Sequence, residues 1–378
     1  MVGAGPAGDA AAAGLRDAGF DGEIVLVGAE ANAPYERPHL SKGFLLGTVP
    51  IDRIGLRPAK QYAELGVELA LGSRVVELEL GRRTVRLDNG RTLGWDRLCI
   101  ATGSSARRLP GHERALYLRE LSDAQRLKEM LDLGSGLTLI GAGFIGCEVA
   151  AAARQRGCAV SMYEALGQPL ERVLGAELGA YIAAVHRQYG VELRVSVAQL
   201  PELEPPVIAG VGSQPRTELA EAAGLEVEEG IAVDEQGRTS VPDVFAAGDV
   251  TRFWHPLYET RIRVEHFQTS QRQGFAVGRA MAGSGASFAE VPWFWSDQYD
   301  LNLQYAGAGL EWDSAVTRGS FGRPPFSVFY LRQGDPVAVA GINDHHTVSR
   351  ARRLMESRAK VSPDELADPA FDLRRARS

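Results

Sequence analysis

The chain has 378 residues, 45% hydrophobic and 24% charged, with 41 Lys plus Arg against 48 Asp plus Glu, a net charge of −7. That length accommodates two or three domains, and the composition excludes a disordered or fibrous chain. The mild acidity excludes the basic footprint of a nucleic-acid binder and the polybasic patch of a membrane-surface protein.

Met1 to Gly8 reads Met-Val-Gly-Ala-Gly-Pro-Ala-Gly, and an Ala-rich helix is predicted over Asp9 to Ala18. The apolar run Ile24 to Val27 follows, closed by Gly28-Ala29-Glu30. This is a glycine-rich turn, a helix, a strand and an acid, which is most of a βαβ unit. Only Met1 and Val2 supply the strand that should precede Gly3, so the sequence predicts a gap at a central strand position. The N-terminus shows no basic region ahead of an apolar core, so no secretory signal is read there.

A second unit is complete. Leu137 to Ile140 reads as a strand, Gly141-Ala142-Gly143-Phe144-Ile145-Gly146 as the turn, Cys147 to Arg156 as a helix and Ala159 to Tyr163 as the next strand, ending at Glu164. A GxGxxG turn lets backbone approach a pyrophosphate at a helix N-terminus, and an acid some 20 residues on accepts from the ribose hydroxyls. Glu30 stands 27 residues after Gly3 and Glu164 stands 23 after Gly141. Two such units predict two dinucleotides. No arginine directly follows Glu164, which favours NADH over NADPH. Arg172 is the nearest positive charge after that strand, and it reads as a solvated loop residue.

Leu98 to Gly103 reads as a strand entering a tight turn. Gly248-Asp249 closes another apolar run, where a carboxylate could receive a ribityl hydroxyl or simply cap a helix. From about Ser287 the pattern changes to a separate α+β domain, with an alternating strand at Phe326 to Leu331 and an Arg-rich helix from about Ser349. The stretch after Lys360 is polar and predicted to be poorly ordered at its end. Arg350, Arg352, Arg353 and Arg358 are predicted to face solvent, or an acidic partner. Cys99, Cys147 and Cys158 are far apart with no CxxC, so a disulfide scaffold and a redox pair are both excluded, in keeping with a reducing cytoplasm. Lys42, one of four lysines, follows Arg37-Pro38-His39-Leu40-Ser41. A cation there could stabilise a reduced flavin.

Taken together, the strings Gly3–Gly8, Pro34–Lys42, Ala101-Thr102-Gly103, Gly141–Gly146, Ala246–Asp249, Arg263–Phe267 and Pro292–Tyr299 resemble the oxygenase-coupled ferredoxin reductases. These are FAD-dependent NADH reductases that serve Rieske dioxygenases and bacterial P450s. The resemblance runs from residue 3 to about 331. It implies an α/β fold of two Rossmann-like dinucleotide-binding domains, glutathione-reductase-like, plus a C-terminal α+β domain. The FAD domain would span 1–108 and 228–287, with an NADH domain, 109–227, inserted and the C-terminal reductase domain at 288–378.

It further implies that FAD lies along Gly3, Gly5, Pro6, Ala7 and Gly8. Around it would stand Glu30, Arg37, Lys42, Val75, Ala101, Thr102, Gly103, Arg119, Gly248, Asp249, Glu265, His266, Phe267 and Trp295. NADH would take Gly141, Gly143, Phe144, Ile145 and Gly146, with Glu164 on the ribose and Val211 and Gly212 nearby. Glu148 would face the nicotinamide, paired with Lys42. Phe144 would cover the flavin, and Trp295 would mark the docking side of a [2Fe–2S] ferredoxin that passes electrons to a terminal oxygenase. Four features depart from the family, the first being the strand mostly missing ahead of Gly3. Ala29 stands where the family has an acid, which moves the ribose role to Glu30. His39 replaces a proline. Pro201 to Pro206 stands where a β-meander is expected. An NADH oxidase or apoptosis-inducing-factor-like flavoprotein, and a truncated relic, are the rival readings.

Overall fold

The computed structural model describes residues 1–375. The chain forms two compact units, each discontinuous in sequence: Met1–Glu36, Ile54–Ser105 and Gln214–Pro292 make the first, and Arg37–Arg53, Ala106–Ser213 and Trp293 onward make the second.

The first unit is built on a parallel sheet whose strands Val67–Ala70, Ile24–Val27, Leu98–Ile100 and Val244–Ala246 pair two by two. Between Ile24–Val27 and Leu98–Ile100 lies the short N-terminal segment, Val2 bridging both in parallel. The predicted gap is closed by four main-chain hydrogen bonds: Val2 N to Cys99 O (2.8 Å), Ala101 N to Val2 O (2.7 Å), Gly3 N to Val27 O (2.8 Å) and Val27 N to Met1 O (2.9 Å). A strand needs only its ladder partners, and two residues supply them here. The expectation of an open central position is therefore corrected.

Helix Pro6–Asp17 lies against helix Phe267–Met281 at backbone contact distance. A Cβ on Gly274 would meet Ala7 O at 2.3 Å, and one on Gly278 would meet Ala11 O at 2.0 Å. Small residues at this seam bring the N-terminus of the second helix beside the first glycine loop. A three-stranded antiparallel sheet, Val75–Glu79, Thr84–Leu87 and Thr92–Gly94, and a three-stranded mixed sheet of Ile231–Val233, Thr251–His255 and Thr260–Ile262 complete the unit.

The second unit contains a four-stranded parallel sheet in the order Val191–Arg194, Val160–Tyr163, Leu137–Ile140, Val207–Ala209. Leu137, Leu139, Ile140, Val160 and Met162 are all buried, whereas Thr138 and Ser161 between them are half-buried. Helix Phe144–Gln155 begins directly after the second glycine loop, so the predicted start at Cys147 was three residues late. No strand forms between Ser196 and Pro206.

Its C-terminal part is an antiparallel sheet in the order Trp293–Gln298, Leu301–Gly307, Asp335–Ile342, Phe326–Arg332, Ser314–Gly319, followed by helix His345–Glu356. The strand at Phe326 does not alternate: every residue from Phe326 to Leu331 is buried. Tyr330 donates its hydroxyl to Leu174 O (2.8 Å), and Tyr181 meets Phe326 edge-on, so helix Glu171–Gln188 covers one face of the strand.

The segment after Lys360 is anchored. It carries helix Pro363–Ala367 with a Ser362–Glu365 capping box. The guanidinium of Arg318, 8% exposed, donates to the carbonyls of Leu366, Asp368, Pro369 and Phe371. The disorder expected at the very end falls on residues outside those described. Arg318→Ala strands these carbonyls and is expected to cost about 3 kcal/mol, read as a lower urea midpoint. Arg318→Lys recovers only part of that, because an ammonium lacks the planar fork.

Candidate functional site

In the first unit, the glycine loop opens helix Pro6–Asp17, whose N-cap Gly5 has no side-chain cap, and Pro6 starts the helix without an N–H. The three glycines do different work. A Cβ on Gly3, at φ +116°, would strike Ala101 O at 2.1 Å, and one on Gly8 would strike Gly3 O at 2.0 Å. A Cβ on Gly5 would meet nothing within 4 Å. Two glycines thus close the turn against the sheet, and the middle one borders open space where uncapped N–H groups point. That is the geometry a pyrophosphate requires.

Ala101, Thr102 and Gly103 follow the strand beneath this loop, and Thr102 Oγ1 donates to Arg216 O at 2.8 Å. Gly248, at φ +83°, would place a Cβ 2.7 Å from that of Ala7, and its N–H donates to Gln273 Oε1 at 2.7 Å. The Asp249 carboxylate accepts from Ser270 Oγ (2.8 Å) and Ser104 Oγ (3.2 Å). Glu265, His266 and Phe267 lie at the uncapped start of helix Phe267–Met281, with Glu265 paired to Arg263. Glu30, half-buried, accepts from Tyr35 OH at 2.7 Å, whereas Ala29 is exposed. Val75 lies at the start of an antiparallel strand. The remaining residues assigned to FAD, Arg37, Lys42, Arg119 and Trp295, belong to the second unit, where Arg37 Nη1 donates to Arg119 O at 2.7 Å.

The second loop repeats the pattern. Cβ atoms on Gly141 and Gly146 would meet Gly210 O at 2.5 Å and Gly141 O at 2.1 Å, while one on Gly143 would find only Gly210 O at 3.8 Å. Val211 and Gly212 continue the adjacent strand end. Glu164 closes the next strand, its Oε2 accepting from Ala142 N (2.6 Å) and its Oε1 from Leu166 N (2.9 Å). Each oxygen keeps a lone pair for a ribose hydroxyl. Arg172 is exposed.

Helix Phe144–Gln155 carries Phe144, Ile145 and Glu148 past the loop. Phe144 meets Phe294 edge-on at 4.6 Å. Glu148, only 3% exposed, pairs with Lys42 Nζ at 2.8 Å and accepts from Ser41 and, at 2.6 Å, from Ser296. Lys42 Nζ also sits 6.0 Å above the Trp295 ring. The expected Lys42–Glu148 pair is therefore formed, from strings about a hundred residues apart.

Several neighbours escaped the sequence reading. Ser41 stands beside Lys42. Ser296 and Gln298 share one strand face by their i, i+2 spacing, and alternation along Trp293–Gln298 was the available signal. Arg194 stands opposite Tyr163 in the parallel ladder, its guanidinium 5.4 Å from that ring, and its carbonyl accepts from Glu164 N at 2.8 Å. Ser104, Ser270 and Gln273 carried no signal, since each is an ordinary polar residue until the fold places it.

All three cysteines are free and buried, and burial raises the Cys99 and Cys147 thiols, the former to about 12. Neither a disulfide nor a reactive thiolate serves this site. Burial lowers His186 to about 4, and His266 likewise, the latter against the opposing pull of Asp249. The unfolded chain takes up protons at these imidazoles below about 6.5, and the folded one only near 4. Stability is therefore complete above that range and falls between pH 7 and pH 5, by about 2 kcal/mol for each histidine at pH 5. Urea midpoints at the two pH values check this.

The chain matches the family model described as pyridine nucleotide-disulphide oxidoreductase over residues 1–199 and 206–274, and the reductase C-terminal model over 293–377. It is 38% identical to the ferredoxin–NAD(+) reductase component of the anthranilate 1,2-dioxygenase system of Burkholderia cepacia, covering 99% of this chain and 98% of that one. It is 35% identical to putidaredoxin reductase of Pseudomonas putida, covering 99% and 95%. Among solved structures, the covalent putidaredoxin reductase–putidaredoxin complex superposes with a TM-score of 0.94 at 34% identity, covering 99% and 96%. The chain thus belongs to the oxygenase-coupled ferredoxin–NAD(+) reductases, within the pyridine nucleotide-disulphide oxidoreductase family.

Proposed function

We propose that the protein is an FAD-dependent reductase that passes electrons from NADH to a [2Fe–2S] ferredoxin, which in turn serves a Rieske dioxygenase or a P450. The observation that carries this reading is the pair of glycine loops, each with two glycines packed on backbone and a third facing open space. One such loop lies in each unit, which fits one dinucleotide apiece. The full-length relatives named for this activity support the same assignment.

FAD, when bound, would supply the capacity to take a hydride's two electrons and to give them up singly to an iron–sulfur partner. The residues of this chain bind and orient. Uncapped helix N-termini at Gly5 and Gly143 would hold the two pyrophosphates, and Asp249, fixed by Ser104 and Ser270, would accept from the ribityl chain. Glu148 would hold the Lys42 ammonium at the nicotinamide end. Phe144 would shield the flavin until NADH binds, and Trp295 would stand on the ferredoxin side. Without a cysteine pair, the electrons have no disulfide outlet. The division into an FAD domain (1–108 and 228–287), an NADH domain (109–227) and a C-terminal domain (288–378) belongs to this reading. So does a cytoplasmic location; among the described residues no helix is long and apolar enough to cross a membrane.

Glu164 sets the preference for NADH, since its carboxylate repels a 2′-phosphate. Glu164→Ser is expected to lower the NADH:NADPH ratio of kcat/KM at least tenfold, because the carboxylate that repels a 2′-phosphate is gone. An unchanged ratio removes Glu164 from the ribose site. The reading as a whole is tested by mixing the protein anaerobically with NADH and a [2Fe–2S] ferredoxin. Rapid bleaching of the ferredoxin supports it. Rapid oxygen consumption with no ferredoxin reduction favours an oxidase.

A further inference from the structure

We propose that Ser296, Gln298 and His186 are positioning residues for the NADH reaction. They form a one-directional hydrogen-bond chain that fixes the Glu148 carboxylate, and through it the Lys42 ammonium. This rests on the reading above that places Lys42 and Glu148 at the nicotinamide end.

The chain can be followed atom by atom. Tyr299 OH lies 3.1 Å from His186 Nδ1, and His186 Nε2 lies 3.0 Å from Gln298 Oε1. Gln298 Nε2 donates to Ser296 Oγ at 3.1 Å, and Ser296 Oγ donates to Glu148 Oε1 at 2.6 Å. The amide oxygen of Gln298 can only accept, so His186 carries its proton on Nε2 and accepts at Nδ1 from Tyr299. Ser296 receives from Gln298, which leaves its one proton for Glu148. Every donor therefore points toward the carboxylate, which also receives Ser41 and Lys42. Burial holds the His186 imidazole neutral, with its pKa near 4, so the direction does not reverse in the neutral pH range.

A structural role alone explains this poorly. His186, Gln298, Ser296 and Glu148 are all 3% exposed or less, and apolar side chains of similar shape would pack such a seam at no greater cost. Tyr299, which begins the chain, opens the two-residue turn between Trp293–Gln298 and Leu301–Gly307, and that turn sets its φ of +58°. Tyr189 stacks on its ring at 3.7 Å and is tied in turn to Asp300. The strand Trp293–Gln298 thereby connects the C-terminal sheet to the helix of the second glycine loop. Reaction geometry is sensitive to such support, since misplacement by about 1 Å costs on the order of a hundredfold in rate.

The test is rapid mixing of the FAD-loaded protein with NADH under anaerobic conditions, separating the NADH Kd from the limiting rate of flavin bleaching. Gln298→Leu and Ser296→Ala are each expected to lower the limiting rate about tenfold per bound flavin, with the NADH Kd changed less than threefold. In a Glu148→Gln background, Gln298→Leu is expected to add no further loss, because the chain acts only through that carboxylate. An unchanged limiting rate at full flavin content overturns the proposal. So does an equal loss in the Glu148→Gln background, which marks a merely structural role. Ser296→Ala, which removes a single oxygen, decides the matter if Gln298→Leu does not fold. Wild-type protein that NADH does not bleach counts against the proposed function instead, a distinct outcome.

Discussion

Gly143→Ala is expected to leave the fold and the flavin in place and to raise the KM for NADH about a hundredfold, some 2.7 kcal/mol of binding. The backbone at Gly143 has φ −75° and ψ −175°, a conformation any residue adopts. Its added methyl would find only Gly210 O, at 3.8 Å. Nothing in the protein opposes the substitution, so any loss must come from what occupies the open space, and a pyrophosphate approaching the helix N-terminus is what needs it. Gly146→Ala is the control. There the methyl would lie 2.1 Å from Gly141 O, so the loop must shift. Stability and NADH binding should then fall together. Thermal midpoints and steady-state KM values on both variants separate the two roles. A normal KM in Gly143→Ala would mean that no dinucleotide phosphate lies against this loop.

Glu148→Gln is expected to destabilise the protein by roughly 3 kcal/mol and to slow reduction by NADH. The pair it breaks is largely shielded from water, with side-chain exposures of 12% for Lys42 and 3% for Glu148. Removing one member of a buried pair leaves the other charge unpaired, which costs far more than the pair itself contributes. Adding Lys42→Met removes that orphaned charge. The double variant should recover most of the stability, seen in urea unfolding, while reduction stays slow because the cation assigned to the nicotinamide end is gone. A double variant that regains both would make the pair a packing element without a part in the chemistry.

Much of this site was legible in the sequence because its signals are local. A glycine loop, the helix it opens and the acid after the next strand lie within some 30 residues, and each glycine answers a steric demand inside that stretch. The Lys42–Glu148 pair was not local, and it came from the resemblance rather than from spacing. What the sequence withheld depends on tertiary placement. The Met1–Gly3 segment looked too short to make a strand, but both neighbouring strands hydrogen-bond to it. The Phe326 strand was expected to alternate, but helix Glu171–Gln188 covers one of its faces. Ser296 and Gln298 lay in a string noticed for its tryptophans, and their hydrogen bonds toward Glu148 appear only when the strand turns that face to it.

Two dinucleotide sites in one electron path can be tested by titrating the purified FAD-loaded protein with NADH in the absence of oxygen while following the oxidised-flavin band. Bleaching is expected to be complete at about one equivalent of NADH, with NADPH far weaker. A protein that holds no flavin, or whose flavin NADH fails to bleach, would contradict it.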